Sequence, residues 1–276
     1  EASQAEVENC LDANTEMVFI TATMGGGTGT GAAPVVAKYA KDQDILTVGV
    51  VTVPFAWEGR NKRKQAYKGV VEMHKYVDAL LVIQNEKLRE VYPTIGLENS
   101  FDIVNEVLNQ AVKGIAEMVT VHGRINLDFA DVNTTLKEGG FALMNTGIGK
   151  GEHRIRKALE DAINSPLIQD KNVRRAKKIL MNIHCPKNLM LEETQDIDDF
   201  FDEMLSDDID VIWGLTVDES LGEEVKITLV VTGFGSDVID GLNEDCDIDE
   251  VIGKVERPKE NILFSDLDDE SCLERI

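Results

Sequence analysis

Residues 24–40 read MGGGTGTGAAPVVAKYA, and five of the seven residues from Gly25 to Gly31 are glycine. The string follows an apolar run, Met17-Val18-Phe19-Ile20, and opens into a helix-like segment of small and branched residues, 32–41. A tight turn needs only one or two glycines. A longer run between a strand and a helix N-terminus lets the backbone take positive φ and lets amide N–H groups approach an oxyanion with no Cβ in the way. The helix start adds partial positive charge and unpaired donors, and Thr28 and Thr30 can add hydroxyls. The stretch therefore reads as a phosphate cradle, but of neither common kind. GxGxxG fails in its spacing, which leaves little room for an NAD-binding enzyme, and no Lys follows to make a Walker loop.

The surrounding pattern is α/β. A strand at 17–23 precedes the glycines. Apolar runs at 45–55 (ILTVGVVTVPF) and 77–85 (VDALLVIQN) suit parallel strands covered on both faces, with a charged helix at about 60–76 between them. Apolar residues then recur every three to four positions over 100–121, which predicts a helix of about six turns. Beyond INLDFADV (125–132) and a short helix to Gly139-Gly140, the order is strand 141–147, helix 151–164, strand 177–184, helix 191–205 and strands 209–218 and 223–233. The last two, separated by DESLGEE, read as an antiparallel hairpin. The opening residues to about Asn14 read as a helix.

Composition removes several function classes. The net charge is −23, so nucleic-acid binding, which needs a basic face, is not expected. No run approaches the ~18 apolar residues of a membrane span, so neither membrane insertion nor a secretory leader is expected and the cytoplasm is the expected compartment. Cys10, Cys185, Cys246 and Cys272 are scattered, as are the four histidines, and no metal site is assigned. Residues 235–276 carry 14 acidic and 4 basic residues and read as a flexible tail or an interaction segment.

GGGTGTG, followed about a hundred residues later by N-x-D-x-x-D, is specific. MVFITATMGGGTGTGAAPVVA, VVTVPFAWEGR, VDALLVIQN, INLDFADV and ITLVVTGF resemble, in order, the tubulin/FtsZ family in its bacterial cell-division form. The resemblance covers about 1–234. It implies an incomplete Rossmann-like parallel-sheet GTPase domain (1–122, including the connecting helix 100–121), a catalytic loop and short helix (123–140), an α+β C-terminal domain (141–234) and the acidic tail. The family's nucleotide domain starts earlier than this chain, so its first part is expected to be missing, leaving strands 17–23 and 45–53 as exposed edges.

By the same resemblance, Gly25, Gly26, Gly27, Thr28, Gly29, Thr30 and Gly31 wrap the phosphates of GTP or GDP. Glu58 lies near the ribose hydroxyls. Lys62 stands where the family commonly has Arg, flanked by Arg60 and Arg63, and the sequence leaves open which cation reaches the nucleotide. Asn85 contacts sugar or base, Phe101 stacks on guanine, and Asn105 occupies a base-recognising position where Asp is frequent. On residue type alone, Glu58 could be a solvated loop carboxylate and Phe101 a core aromatic. Asn126, Asp128 and Asp131 sit at a helix start, where acids are also ordinary caps. The resemblance implies that they enter the nucleotide pocket of the next subunit and position water and Mg2+, held through the phosphates, against the γ-phosphate. It further implies a head-to-tail homopolymer at the division site; the tail leaves room for division-ring partners, although the family's short docking peptide is not recognisable in DLDDESCLERI. The alternative is a non-enzymatic fragment that binds or caps filaments of the intact protein.

Overall fold

The structure, a computed structural model, describes residues 11, 14–164, 176–204 and 209–234. The expected helix before Asn14 and the acidic tail lie outside the described residues, apart from Leu11 and Asn14. The elements in chain order are β1 (Met17–Thr23), α1 (Gly27–Asp42), β2 (Leu46–Val53), α2 (Arg60–His74), β3 (Ala79–Gln84), α3 (Asn85–Val91) and α4 (Leu97–Thr120). They continue with α5 (Phe129–Leu136), β4 (Gly140–Gly149), α6 (Arg154–Ile163), β5 (Lys178–Cys185), α7 (Gln195–Met204), β6 (Asp210–Val217) and β7 (Val225–Phe234).

The strands form one seven-stranded sheet in the order β1-β2-β3-β4-β7-β5-β6. β1, β2 and β3 are parallel, and β3 continues into β4 through three parallel residue pairs. β7 runs antiparallel to both β4 and β5, and β6 is parallel to β5. Side-chain alternation sorts the core. On one face, Ile20, Val51, Val53 and Leu80 pack under α1 and α2 with Ala37, Tyr67, Val70 and Met73. On the other, Val48, Val50, Leu81 and Ile83 meet Val104, Ile115 and Met118 of α4 and Val132 and Leu136 of α5. A third cluster joins α6 and α7 to Met181, Ile183, Ile227 and Leu229. Each Val, Leu, Ile or Met among them, once fully buried, contributes about 1.5–3 kcal/mol before entropy is charged against it.

Two expectations fail. β6 and β7 form no hairpin, although only seven residues separate them. Val225, Ile227, Leu229, Val230 and Val231 are all buried, so β7 has two apolar faces and must lie inside the sheet. β6 exposes Asp210 and Trp213 and buries only Gly214 and Thr216, the pattern of an outer strand. Residues 45–53 are likewise no edge: β2 is buried throughout, between β1 and β3. β1, paired with β2 alone among the described strands, shows the half-open pattern instead. Among the described residues no helix is long and apolar enough to cross a membrane.

Candidate functional site

The glycine run divides at its middle. Gly25 and Gly26 form the turn, and helix α1 begins at Gly27 rather than after the run. The Met24 N–H donates to the Thr52 carbonyl (2.9 Å), carrying β1 one residue into the turn. Gly25 has φ +95°, and a Cβ there would lie 2.9 Å from the Lys62 carbonyl oxygen and 3.0 Å from Pro54. Its N–H donates to Thr30 Oγ1 (2.9 Å), which closes the turn from inside. A Cβ at Gly29 would come within 2.2 Å of the Thr23 carbonyl oxygen, so α1 can press its first turn onto the strand end only with glycine there. Gly26, Gly27 and Gly31 face open space. The N-cap, Gly26, supplies no side-chain cap, and the first turn holds no acid. The amides that open α1, with the helix dipole behind them, thus lie where no described residue comes within 4 Å of a Cβ at Gly26 or Gly27, and Thr28 stands exposed beside them.

Lys62 packs its backbone carbonyl and Cγ against Gly25. Its Nζ meets Glu58 Oε2 at 2.7 Å. Glu58, with its side chain 11% exposed, also accepts the Phe55 N–H through Oε1 (2.9 Å) and so ties down the turn Ala56–Glu58. Of the three cations left open by the sequence, Lys62 is seen to pack against the glycine turn. Arg63 lies over the Tyr67 ring, 5.9 Å from its centroid.

Asn85 opens α3 at the carboxyl end of β3 and is 3% exposed. Its Oδ1 has no hydrogen-bond partner among the described residues, and neither has Oγ1 of Thr52, which is 1% exposed. Leaving such an atom unsatisfied costs about 1–3 kcal/mol, so each calls for an explanation, and a bound ligand is one. Both residues sit near the carboxyl ends of neighbouring strands, next to the glycine turn, where ligands of open parallel sheets bind. Thr52 was missed in the sequence, although a lone hydroxyl in the valine run VGVVTV is a visible signal. Phe101, 43% exposed, stands edge-on to Phe55 (5.9 Å between centroids) and Trp57 (6.1 Å). Phe55 and Trp57 stack at 5.7 Å, and neither was singled out from sequence. A cavity of about 710 Å³ adjoins this trio, lined by Tyr92, Leu97 and Ser100 among others. Asn105, one turn beyond Phe101, is exposed on α4.

The acids lie elsewhere. Asp128 is the N-cap of α5 and forms a reciprocal capping box with Asp131. Asn126 Oδ1 accepts the Gly123 N–H at 2.7 Å. The loop carrying them rests on β6, where the Arg124 N–H donates to the Leu215 carbonyl (2.7 Å). Helix α4 separates the two groups. Phe101 on its first turns touches the aromatic turn after β2, and the acid loop follows its last residue. Its 24 residues span about 36 Å at 1.5 Å per residue. The structure thus gathers Gly25–Gly31, Glu58, Lys62, Asn85 and Phe101 around the carboxyl ends of β1–β3, and holds Asn126, Asp128 and Asp131 a helix length away.

Residues 1–93 match the family model described as "Tubulin/FtsZ family, GTPase domain", and residues 140–235 match "FtsZ family, C-terminal domain". The cell division protein FtsZ of Porphyromonas gingivalis is 46% identical over 258 residues, covering 92% of this chain and 56% of that protein. The FtsZ of Coxiella burnetii is 45% identical over 223 residues, covering 80% of this chain and 58% of its own length. The chain thus spans somewhat over half the length of these curated relatives. Among solved structures, an empty FtsZ dimer from M. jannaschii superposes with a TM-score of 0.76 at 41% identity, covering 84% of this chain and 67% of that one. CetZ1 of Haloferax volcanii, a GDP-bound monomer, shares the fold at 20% identity (TM-score 0.72, 91% of this chain and 74% of that one).

Proposed function

The chain belongs to the tubulin/FtsZ family, and on that premise we propose that its function is to bind and hydrolyse GTP while assembling head to tail into filaments of the bacterial division ring. The observation that carries this reading is the separation of the two groups by α4. A glycine turn built for phosphates at one end of the sheet and a pair of acids beyond the far end of a helix about 36 Å long cannot act on one nucleotide within one copy. Stacking copies along the helix direction brings the acids of one onto the phosphates of the next. A head-to-tail contact of this kind extends into a filament when its rotation does not close.

The residues take these roles. The amides of Gly26–Thr28 and the α1 dipole hold the phosphates, and Lys62 adds a positive charge over the turn. Glu58, whose oxygens already take the Phe55 N–H and Lys62 Nζ, keeps lone pairs for the ribose hydroxyls. Asn85 and Thr52 offer their unpartnered oxygens to the nucleoside side of the pocket, and Phe101 offers a ring face to guanine, with Asn105 one turn away. In the neighbouring copy, the capping box spends one oxygen of each carboxylate. Oδ2 of Asp128 and Oδ1 of Asp131 remain to orient the attacking water, so catalysis is positioning and charge stabilisation. Among the described residues no cluster of three or more His, Cys, Asp or Glu could hold a metal unaided. Mg2+ is therefore assigned to phosphate oxygens and water, and when bound it neutralises charge on the transferring group. Assembly at the division site puts the protein in the cytoplasm.

Two measurements test this. The first is retention of labelled GTP by the chain, with loss on Gly27→Ala. The second is GTP turnover per molecule against protein concentration, which must rise steeply as filaments form. A flat profile sinks the shared site.

A further inference from the structure

Three side chains on the α4-facing side of β5 and β6 form a row. Asn182 Nδ2 lies 3.1 Å from His184 Nε2, and the Thr216 hydroxyl donates to Asn182 Oδ1 at 3.5 Å. Asn182 and Thr216 are buried, and His184 is half-buried. The row ends beneath the acid loop. A Cβ at Gly123, where α4 gives way to that loop, would lie 3.1 Å from Thr216 Oγ1 and 2.4 Å from the Leu215 carbonyl oxygen. The Gly123 N–H in turn donates to Asn126 Oδ1 (2.7 Å). From His184 through Asn182 to Thr216 the row is hydrogen-bonded, and from Thr216 to the Gly123 backbone it is close packing.

We infer that His184 positions the acid loop through Asn182 and Thr216, and that protonating its imidazole loosens that loop. With a neutral ring protonated on Nδ1, Nε2 accepts from the Asn182 amide, whose oxygen accepts from Thr216. An added proton makes Nε2 a donor facing a donor. The Asn182 amide must then turn over, and Thr216 loses its acceptor and has to rotate beneath Gly123. Hydroxyls accept as well as donate, so the turned Asn182 amide can donate to Thr216 Oγ1, but the Thr216 O–H is left without its acceptor until His184 gives up the proton again. Burial holds the His184 pKa below its ordinary value, and Lys226 on β7 adds to this, while Glu117 on α4 and Asp218 after β6 oppose it. The ring is accordingly neutral near pH 7 and takes its proton on acidification. The inference rests on the proposed function only in calling the loop catalytic, because the coupling itself requires no nucleotide.

The test is carried out on the 276-residue chain without nucleotide, from pH 7.5 downward until the His184 ring is fully protonated. The His184 ring is followed by NMR, and amide exchange is read at Gly123 and Asp131 after correction for intrinsic pH dependence. Loss of one net hydrogen bond corresponds to a factor of about 3–10 in local opening. That acceleration is expected at Gly123 as His184 titrates. It should vanish in His184→Gln and in Thr216→Val, and return in Thr216→Ser, which keeps the hydroxyl. Wild type and His184→Gln responding alike would overturn the inference, as would a Thr216→Val variant that responds like wild type. Should His184→Gln fail to fold, the two Thr216 variants still decide. GTP turnover is measured separately, so failure of the GTPase reading leaves the exchange result standing.

Discussion

Asp128 and Asp131 cap each other: the Asp131 N–H donates to Asp128 Oδ1 at 2.9 Å, and the Asp128 N–H to Asp131 Oδ2 at 3.0 Å. The proposed catalytic acids therefore also hold the start of α5, and any substitution mixes two effects. Asp128→Ala should lower unfolding stability by about 1 kcal/mol, the usual cost of losing an N-cap side chain, and should abolish GTP turnover. Asp128→Ser keeps a capping oxygen without the charge. Its urea midpoint should stay near wild type while phosphate release is lost. A fully active Asp128→Ser would reduce the acid to a structural role.

The glycines of the cradle should separate into two classes. Gly29→Ala drives a methyl group into the Thr23 carbonyl (2.2 Å) and should destabilise the fold by about 1–3 kcal/mol. At Gly27 nothing lies within 4 Å, and alanine suits a helix better than glycine. Gly27→Ala should leave the denaturation midpoint unchanged or slightly raised, yet weaken GTP binding by on the order of tenfold, because the methyl occupies space the phosphates need. Calorimetric unfolding and nucleotide titration of both variants check the contrast. Equal affinities in wild type and Gly27→Ala would remove the cradle.

Thr52→Val exchanges an unpartnered buried hydroxyl for a methyl of the same shape. Without nucleotide the variant should be as stable as wild type or more so, by up to about 1–3 kcal/mol. With GDP present the order should reverse, since only the wild type gains a hydrogen bond to the ligand. Melting with and without nucleotide reads both effects, and a wild-type advantage in the free protein would contradict the assignment.

Arg154 ties α6 to the turn Leu191–Thr194: its Nε lies 2.7 Å from Glu193 Oε2, and NH1 donates to the Glu223 carbonyl (3.0 Å). The Arg154 hydrogen bond holds the Glu193 carboxyl below its ordinary pKa, against the opposing effect of burial. The folded state thus binds this proton less readily than the unfolded state. Its contribution to stability is complete above the ordinary Glu pKa of ~4.3 and is lost as pH falls through the lower folded value. Urea midpoints from pH 7 to 3 should fall more steeply for wild type than for Glu193→Gln. Parallel curves would show that the pair carries no pH-dependent stability.

Where a signal is local, it was legible before folding. Strands 46–53 and 79–84 follow from unbroken apolar runs, and α4 from its three-to-four-residue repeat, because burial on two faces or on one stripe leaves that trace in order along the chain. The glycine cradle is of the same kind, since only glycine serves a positive φ or a close backbone approach. The start of α1 at Gly27 was not legible. Glycine disfavours a helix, and the packing of Gly29 onto the Thr23 carbonyl overrides that preference only once β1 is in place.

The sequence by itself determined the order of the strands and of every helix but α3, and the position of a glycine turn between a strand and a helix at Gly25–Gly31, because each depends on residue type and short spacing. Tertiary structure alone decided that β7 runs between β4 and β5 instead of turning back along β6, since strand partners are chosen by which faces remain to be buried. It alone decided that Thr52 and Asn85 hold buried, unpartnered oxygens near the carboxyl ends of β2 and β3. It also placed the cradle and the acids at opposite ends of α4, because how far apart two loops stand is a property of the rigid helix and sheet between them, not of the residues in either loop.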